Sequence, residues 1–199
     1  MRITELLDLR SISLDAVPAS KQEALDMAVA LMAKSGKIRD EEAYRREVYL
    51  REEESTTGVG GGIAIPHGKC DAVIRPGLAA MVIPNGVDFD SLDGEPVHLI
   101  FLIAAPNTKD NVHLDVLSKL SVLLMDEQFS EKLRRAKTAE ELWFRHVRLP
   151  LQRYCSNRNL RKKKENPALS TLSWDWHSLQ KVRFHLRRQI RFMFFLPAS

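Results

Sequence analysis

The sequence predicts an α/β fold, a single layered domain in which helices flank a mixed central sheet, followed by a basic C-terminal tail. Two continuous apolar runs, residues 78–83 and 97–103, are typical of central strands covered on both faces. Segments with apolar residues at spacings of three and four, typical of amphipathic helices, lie on either side of these runs. Strands that alternate with helices in this way indicate two or three packed layers.

The first 36 residues predict a small strand followed by a helix. Ile12 and Leu14 alternate with polar residues, as in a short strand. Ser20 and Glu23 have the spacing of a capping box, so a helix is expected to begin there and to end at Gly36. The apolar stripe of this helix consists of Ala24, Ala28, Leu31 and Met32.

A second helix is expected to begin after Asp40, whose carboxylate can cap it. Its buried stripe consists of Tyr44 and Val48 and continues to Arg51 at spacings of four and three. An isolated arginine is usually solvated. Arg51 instead lies on the buried line at the helix end, shortly before a glycine-rich segment, and this position predicts a functional cation.

Residues 58–69, Gly-Val-Gly-Gly-Gly-Ile-Ala-Ile-Pro-His-Gly-Lys, form the segment around which the chain is organised. Residues 63–65 indicate a buried strand that leads to His67. Pro66 restricts the backbone just before His67, and Gly68 allows the backbone more freedom just after it. The preceding glycines predict a histidine at a strand end beside open space, as needed to admit a protein and a charged group. The alternative is a flexible glycine loop beside a structural histidine.

Nucleotide-binding loops fit this segment poorly. A P-loop would require glycine at position 63 and serine or threonine at position 70, where the chain has Ile63 and Cys70. A dinucleotide fingerprint that starts at Gly58 or Gly60 fails at its third glycine. The glycine cluster is therefore not expected to hold a nucleotide.

The second half of the domain predicts turns at residues 84–86 and 92–94, and an end to the second central strand at residues 106–108. Asp110 or Asn111 can then cap a strongly apolar helix that extends to Leu124. His113 falls in its first turn, where backbone N–H groups favour an anion and a neutral imidazole. A surface histidine without a role is the alternative, and His98, inside the second strand, is assigned no role.

A short helix over residues 129–136 and another from Thr138, with Glu141 completing a capping box, are expected to close the domain near Trp143. At 199 residues and 44% hydrophobic content, the chain is long enough for one such domain and an appendage. The two cysteines suggest no disulfide framework and fit a reducing cytoplasm. We see no signal peptide and no apolar stretch of membrane-spanning length.

These motifs together resemble the enzyme IIA domains of the fructose–mannitol class of the bacterial phosphoenolpyruvate-dependent sugar phosphotransferase system. The resemblance covers residues 1–144. The stretches that carry it are residues 51–58 (Arg-Glu-Glu-Glu-Ser-Thr-Thr-Gly), 62–68 (Gly-Ile-Ala-Ile-Pro-His-Gly), 91–97 (Ser-Leu-Asp-Gly-Glu-Pro-Val) and 113–114 (His-Leu).

The resemblance implies that His67 is the phosphorylated residue, with His113 as the second active-site histidine and Arg51 as the site arginine. It implies a phosphotransferase of the cytoplasm that takes the phosphoryl group from the histidine-containing phosphocarrier protein. Because this donor is itself a protein, the resemblance implies no metal, nucleotide or other cofactor. The group would pass to a cysteine of a fructose-type enzyme IIB domain during sugar uptake, with the membrane involved only through an enzyme IIC transporter. The alternative is a regulatory, nitrogen-related IIA protein that acts by binding partners.

Cys70 is expected to be a packed thiol. Ser55, Thr56 and Thr57 are candidate hydroxyl donors or turn residues.

Residues 145–199, the C-terminal tail, depart from this family. Residues 1–145 hold 18 Lys and Arg against 24 Asp and Glu, whereas residues 146–199 hold 12 against 2. A basic amphipathic pattern from Leu179 to Ile190 could bind nucleic acid or anionic lipid. We expect instead a disordered or poorly packed segment, of the kind that an out-of-frame replacement of a downstream portion would produce, and no nucleic-acid partner.

Overall fold

The structure, a computed structural model, describes residues 6–108, 112–124 and 126–142. The strands are β1 (Leu7–Ser13), β2 (Gly58–Gly60), β3 (Ile63–Ala64), β4 (His67–Cys70), β5 (Gly77–Val87) and β6 (Val97–Pro106). The helices are α1 (Lys21–Lys34), α2 (Glu41–Glu54), α3 (Val112–Leu124) and α4 (Glu127–Arg134).

The strands form one mixed sheet in the order β1-β5-β6-β3-β2, with β4 also paired to β6. Strands β5 and β6 are antiparallel, whereas β1 runs parallel to β5 and both β3 and β4 run parallel to β6. The predicted mixed central sheet is therefore confirmed.

Helices cover both faces of this sheet. Side chains alternate along β5, so that Ala79, Met81 and Ile83 join the core beneath α1 and α2. The intervening residues of β5 join a second core, whose members include side chains of α3 and α4 such as Leu120 and Leu133. Because both faces are covered, the two central strands can be apolar without interruption, as the sequence predicted.

The predicted starts of α1 and α2 are confirmed by their caps. The Ser20 hydroxyl accepts a hydrogen bond from the Glu23 N–H at 3.2 Å, and the Asp40 carboxylate accepts one from the Ala43 N–H at 2.9 Å. The Glu23 carboxylate in turn accepts from the Ala19 N–H at 2.7 Å. Each cap satisfies a backbone donor that the helix cannot pair.

The predicted turn at residues 84–86 is wrong, because β5 continues through it to Val87. Val82 pairs with Leu99 and Val87 pairs with Val97, so β5 uses more residues than its partner over this stretch. The excess forms an irregularity in which Gly86 has a φ of +72°. Proline and glycine here mark a bulge in a strand rather than its end. The turn at residues 92–94 is confirmed by a hydrogen bond from the Gly94 N–H to the Ser91 carbonyl at 2.9 Å.

Other element ends differ modestly from the sequence predictions. Strand β1 begins at Leu7, before the predicted alternation, and α4 begins at Glu127 after an Asp126 cap rather than at residue 129. The capping box of Thr138 and Glu141 is present, since the Thr138 hydroxyl accepts from the Glu141 N–H at 3.1 Å. The proposed caps at residues 110 and 111, and the C-terminal tail, lie outside the described residues.

Candidate functional site

Strands β3 and β4 place His67 in the sheet. Both strands pair with β6 in the same direction and are separated by Ile65 and Pro66. Proline has no N–H to donate, so it is suited to the break between two strands, while its carbonyl accepts a hydrogen bond from the Ile103 N–H at 2.9 Å. His67 is the first residue of β4 and lies opposite Ile103.

Helix α2 reaches His67 because Gly68 lets it approach β4 closely. A Cβ atom at Gly68 would lie 3.0 Å from the Tyr44 ring and 3.1 Å from the Val48 side chain. Both side chains are fully buried, and the Tyr44 hydroxyl donates to the Ile103 carbonyl at 3.0 Å. This contact orients the end of α2, and with it Arg51, towards the start of β4.

Arg51 and His67 are hydrogen-bonded. The Arg51 Nε–H donates to His67 Nε2 at 3.0 Å. A second nitrogen of the guanidinium, Nη1, donates to the Ser55 carbonyl at 3.1 Å and to its hydroxyl at 3.3 Å. Ser55 caps the C-terminus of α2, where a cation is favoured by the helix dipole. The arginine is therefore held at two points, one on the histidine and one on its own helix end.

The hydrogen bonds of His67 assign its tautomer. Nδ1 lies 3.0 Å from the Ile65 carbonyl oxygen, which can only accept, so Nδ1 carries the proton. The guanidinium of Arg51 can only donate, so Nε2 presents its lone pair. His67 is 9% exposed, and in this arrangement its neutral imidazole presents a lone pair on Nε2.

Three glycines of the cluster have a conformational role in a turn. Gly60, Gly61 and Gly62 have φ values of +94°, +62° and +71° and form the turn between β2 and β3. Such values strongly favour glycine. The Asp93 carboxylate accepts from the Gly61 N–H at 2.7 Å, and the Arg134 guanidinium donates to the Gly61 carbonyl. The turn is thus held from both sides.

His113 is the second residue of α3, within its first turn as the sequence predicted. The described part of the structure includes the backbone of residues 112–115 but not their side chains. Helix α3 follows β6, which pairs with His67 at Ile103 and ends at Pro106. The structure thus brings Arg51 and His67 together, and the catalytic roles of all three residues stay predictions.

The three candidate hydroxyls of residues 55–57 have different partners. The Ser55 hydroxyl accepts from the Arg51 guanidinium. The Thr56 hydroxyl donates to the Phe89 carbonyl at 3.1 Å, and the Thr57 hydroxyl donates to the Glu52 carboxylate at 2.5 Å. Thr56 and Thr57 therefore make contacts that shape the loop, whereas Ser55 contacts the site arginine.

Glu52 is a buried residue that the sequence pattern did not single out. It is 9% exposed and lies beneath the loop that follows α2. Glu52 follows Tyr44 and Val48 at spacings of four, on the same stripe that leads to Arg51. That spacing was the available signal, but the run of three consecutive glutamates resembles an ordinary solvated helix end.

Other polar candidates have structural explanations. Cys70 is half-buried against the core and burial raises the pKa of its thiol, which disfavours the reactive thiolate. His98 Nδ1 is hydrogen-bonded to the Ile83 carbonyl at 3.1 Å. Within the described ranges, no group of three or more His, Cys, Asp or Glu side chains is arranged to hold a metal ion. In the same ranges no helix combines the length and apolar character needed to cross a lipid bilayer.

Comparison with known protein families matches residues 5–144 to one described as "Phosphoenolpyruvate-dependent sugar phosphotransferase system, EIIA 2". The chain belongs to this EIIA family. The resemblance drawn from the sequence motifs is therefore confirmed, and it places the chain in a phosphotransferase system for sugars.

Curated relatives of this EIIA domain include two fructose-specific proteins. The fructose-specific EIIABC component of Bacillus subtilis (strain 168) is 43% identical over 142 residues, which are 71% of this chain and 22% of that protein. The chain thus spans about a fifth of that relative's length. The fructose-specific EIIA component of Haloferax volcanii is 40% identical over 138 residues, 69% of this chain and 90% of the relative.

Solved structures confirm the fold of the EIIA domain. The nitrogen regulatory protein IIA-Ntr from Neisseria meningitidis has a TM-score of 0.66 at 33% identity, covering 71% of this chain and 96% of that one. Enzyme IIA mannitol from Escherichia coli, in its complex with phosphorylated enzyme IIB mannitol, has a TM-score of 0.60 at 30% identity. That match covers 69% of this chain and 95% of the neighbour.

Proposed function

We propose that this EIIA domain carries a phosphoryl group on His67 during fructose-type sugar uptake. The group comes from the histidine-containing phosphocarrier protein and leaves to a cysteine of a fructose-type enzyme IIB domain. The observation that carries the proposal is the buried, neutral imidazole whose Nε2 lone pair faces the Arg51 guanidinium at 3.0 Å. The fructose-specific relatives at 40% and 43% identity support the sugar class.

The first half-reaction transfers the phosphoryl group to Nε2. The Nε2 lone pair attacks phosphorus, the nitrogen–phosphorus bond on the donor histidine breaks, and its electron pair returns to the donor nitrogen. Little covalent assistance is required, so alignment of the reactants and stabilisation of charge on the equatorial oxygens decide the rate. Because Nδ1 already carries a proton, the phosphorylated ring is an imidazolium, and the Ile65 carbonyl stabilises that proton at 3.0 Å.

Arg51 has two roles in this reaction. In the resting protein it donates to the same lone pair that must attack, which keeps the imidazole neutral and oriented. During transfer the guanidinium gives up that bond and donates to the phosphoryl oxygens, for which its forked geometry is well suited. Its anchor on Ser55, at 3.1 Å to the carbonyl, keeps it beside the site while its other donors change partner.

The second half-reaction restores the resting state. A cysteine thiolate of the enzyme IIB domain attacks phosphorus, a sulfur–phosphorus bond forms, and the bond to Nε2 breaks. The electron pair returns to Nε2 and neutralises the imidazolium, so Nδ1 keeps its proton throughout. The hydrogen bond from Nδ1 to Ile65 therefore serves both directions of transfer without a proton relay. His113, in the first turn of α3, supplies hydrogen bonding to the phosphoryl group.

The proposed setting is cytoplasmic, with enzyme IIB as the acceptor and the membrane involved only through an enzyme IIC transporter. A regulatory function is the second candidate, because the Neisseria meningitidis nitrogen regulatory protein shares the fold at 33% identity. The two functions use the same phosphorylated histidine and differ in the acceptor. The higher identity to fructose-specific relatives favours the transport function.

Phosphotransfer with purified components tests the proposal. The chain is incubated with phosphoenolpyruvate, enzyme I and the phosphocarrier protein, with His67→Gln as the inactive variant and His98→Gln as a histidine control. Acid-labile phosphate on the wild type and on His98→Gln, but not on His67→Gln, is the expected result. Absence of label on folded wild-type protein would contradict the proposal. Discharge by a fructose-type enzyme IIB supports transport, and label that no enzyme IIB removes supports regulation.

A further inference from the structure

The carboxylate of Glu52 is fully engaged beneath the loop that leads from α2 to β2. Its Oε1 accepts from the Thr57 N–H at 2.9 Å, and its Oε2 accepts from the Thr57 hydroxyl at 2.5 Å. A short helix-end loop would otherwise leave buried backbone donors without partners, which is costly. The carboxylate therefore determines where Thr57 lies.

Lys21 compensates the charge of Glu52. Its Nζ lies 3.0 Å from Glu52 Oε1, with side-chain exposures of 23% and 6%. The same Nζ lies 5.1 Å from the centre of the Phe89 ring and 3.3 Å from the Asp90 carboxylate. Loss of one partner of such a buried carboxylate is costly, because it leaves a buried charge or polar group without compensation.

Two further hydrogen bonds connect Thr57 to the reactive imidazole. The Thr57 carbonyl accepts from the Ile65 N–H at 3.0 Å. The Ile65 carbonyl in turn accepts from His67 Nδ1 at 3.0 Å. A chain of hydrogen bonds therefore runs from the Glu52 carboxylate through Thr57 and Ile65 to Nδ1 of His67.

We propose that Glu52 is a positioning residue for phosphoryl transfer at His67. It holds Thr57, and through Thr57 and Ile65 it keeps Nδ1 protonated and Nε2 directed at Arg51. This proposal rests on the proposed function of His67 as the phosphoryl acceptor. It predicts that the carboxylate, which does not touch the reacting atoms, nevertheless affects the rate of their reaction.

The neighbouring Arg51 is anchored to the same loop. Arg51 and Glu52 are consecutive in the last turn of α2 and bind the two ends of one short segment, Ser55 and Thr57 respectively. Displacement of that segment would move the partners of both ring nitrogens at once. A shift of about 1 Å in such geometry is sufficient to lower a rate about 100-fold.

Steady-state phosphorylation kinetics of the full chain provide the first test. Glu52→Ala is expected to lower kcat by about 10- to 100-fold and to change KM for the phosphocarrier protein little, because Glu52 is buried and presents little surface for a docking partner. Glu52→Gln is expected to recover most of the rate, since its amide can accept from the Thr57 N–H and donate to the Thr57 hydroxyl. Glu53→Ala, an exposed glutamate on the same helix, is the matched control and is expected to leave kcat unchanged.

Nitrogen-15 spectra of the unphosphorylated His67 ring provide the second test and do not depend on phosphoryl transfer. The wild type is expected to show the Nδ1–H tautomer, and Glu52→Ala a mixture of both. If the wild type takes up no label, the proposed function fails while these spectra still test the positioning role. Thr57→Val replaces Glu52→Ala if the latter does not fold. Wild-type kcat together with a wild-type tautomer in a folded variant would overturn the proposal.

Discussion

Arg51 donates a hydrogen bond to Nε2 of His67, and Nδ1 of the same ring donates to the Ile65 carbonyl. The cation therefore lies 3.0 Å from Nε2, the ring atom that is the nucleophile in the proposed function. In the proposed function, the guanidinium also lies where the negative oxygens of the phosphoryl group would arrive. Both the chemistry of this pair and the packing that maintains it can be tested by substitution.

Replacement of Arg51 is expected to slow phosphorylation more than it destabilises the fold. Arg51→Ala is expected to lower kcat about 100-fold or more, the usual effect of removing one donor to a developing anion. Arg51→Lys keeps the charge but loses the fork, so it is expected to lie between Ala and wild type. Quench-flow labelling from the phosphorylated phosphocarrier protein measures the rates. Arg46→Ala, an exposed arginine on the same helix, is the control, and a full rate in Arg51→Ala would contradict the assigned role.

His113→Ala is expected to slow phosphoryl exchange and leave the fold intact. The residue lies in the first turn of α3, where the helix dipole favours an anion. The proposed reaction does not use it as a nucleophile. Exchange between the phosphocarrier protein and His67 is measured by label transfer, and circular dichroism monitors the fold. An unchanged exchange rate would remove His113 from the site.

Gly68→Ala is expected to affect stability and activity together. The new Cβ would lie 3.0 Å from the Tyr44 ring and 3.1 Å from Val48, so α2 would be displaced from β4 at a cost of about 1–3 kcal/mol. Because Arg51 is carried by α2, the phosphorylation rate is expected to fall as well. Urea unfolding measures the free energy of unfolding in Gly68→Ala, Val48→Ala and the double variant. The double variant is expected to be more stable than the sum of the single effects predicts, and strict additivity would contradict the close contact.

Tyr44 is expected to make stability sensitive to alkaline pH. Burial raises the pKa of its phenol well above the ordinary value of 10.0, whereas the unfolded chain ionises near that value. The contribution is therefore complete below about pH 10 and is lost as the pH rises further, because the unfolded state then binds fewer protons. In Tyr44→Phe this fall is expected to be shallower, and stability at neutral pH is expected to be lower by about 1–2 kcal/mol because the Ile103 carbonyl loses its donor.

Urea unfolding between pH 7 and pH 11 tests this expectation. Tyr49→Phe is a second test of the same linkage, since Tyr49 is half-buried and burial, with a hydrogen bond to Asp26, raises its pKa to about 12. Up to pH 11 a similar change in the alkaline slope is expected for Tyr49→Phe, because a phenol with a pKa of about 12 also stays protonated in the folded protein while the unfolded chain ionises. Equal slopes in wild type and Tyr44→Phe would show that the phenol of Tyr44 is not protected by burial.

The sequence predicted an element correctly where the interactions that form it are between near neighbours in the chain. The caps of Ser20 and Asp40 form within three residues of themselves, so short spacing was sufficient to place the starts of α1 and α2. The prediction of a turn at residues 84–86 was wrong because the deciding interaction is between distant residues. Whether a Pro-Asn-Gly sequence ends a strand or bulges within it depends on pairing with β6, which begins at Val97, eleven residues after Gly86.

The site shows the same division. Arg51 and His67 could be singled out because one lies on a helical stripe and the other ends a strongly patterned segment. Glu52 was not singled out, although it lies on the same stripe, since its burial depends on a loop that folds back over it. The glycines at positions 60–62 have left-handed backbone conformations that serve a turn between two strands.

By itself, the sequence determined the layered α/β class, the helix caps and the chemical identity of the residues that the motif presents. These properties follow from side-chain periodicity and from hydrogen bonds between near neighbours, which any segment carries with it. The tertiary structure decided that Nε2 of His67 faces Arg51, that Nδ1 carries the proton and that Glu52 is buried. Each of these requires α2, β4 and β6 to pack at fixed distances, and only the complete sheet with its covering helices provides them.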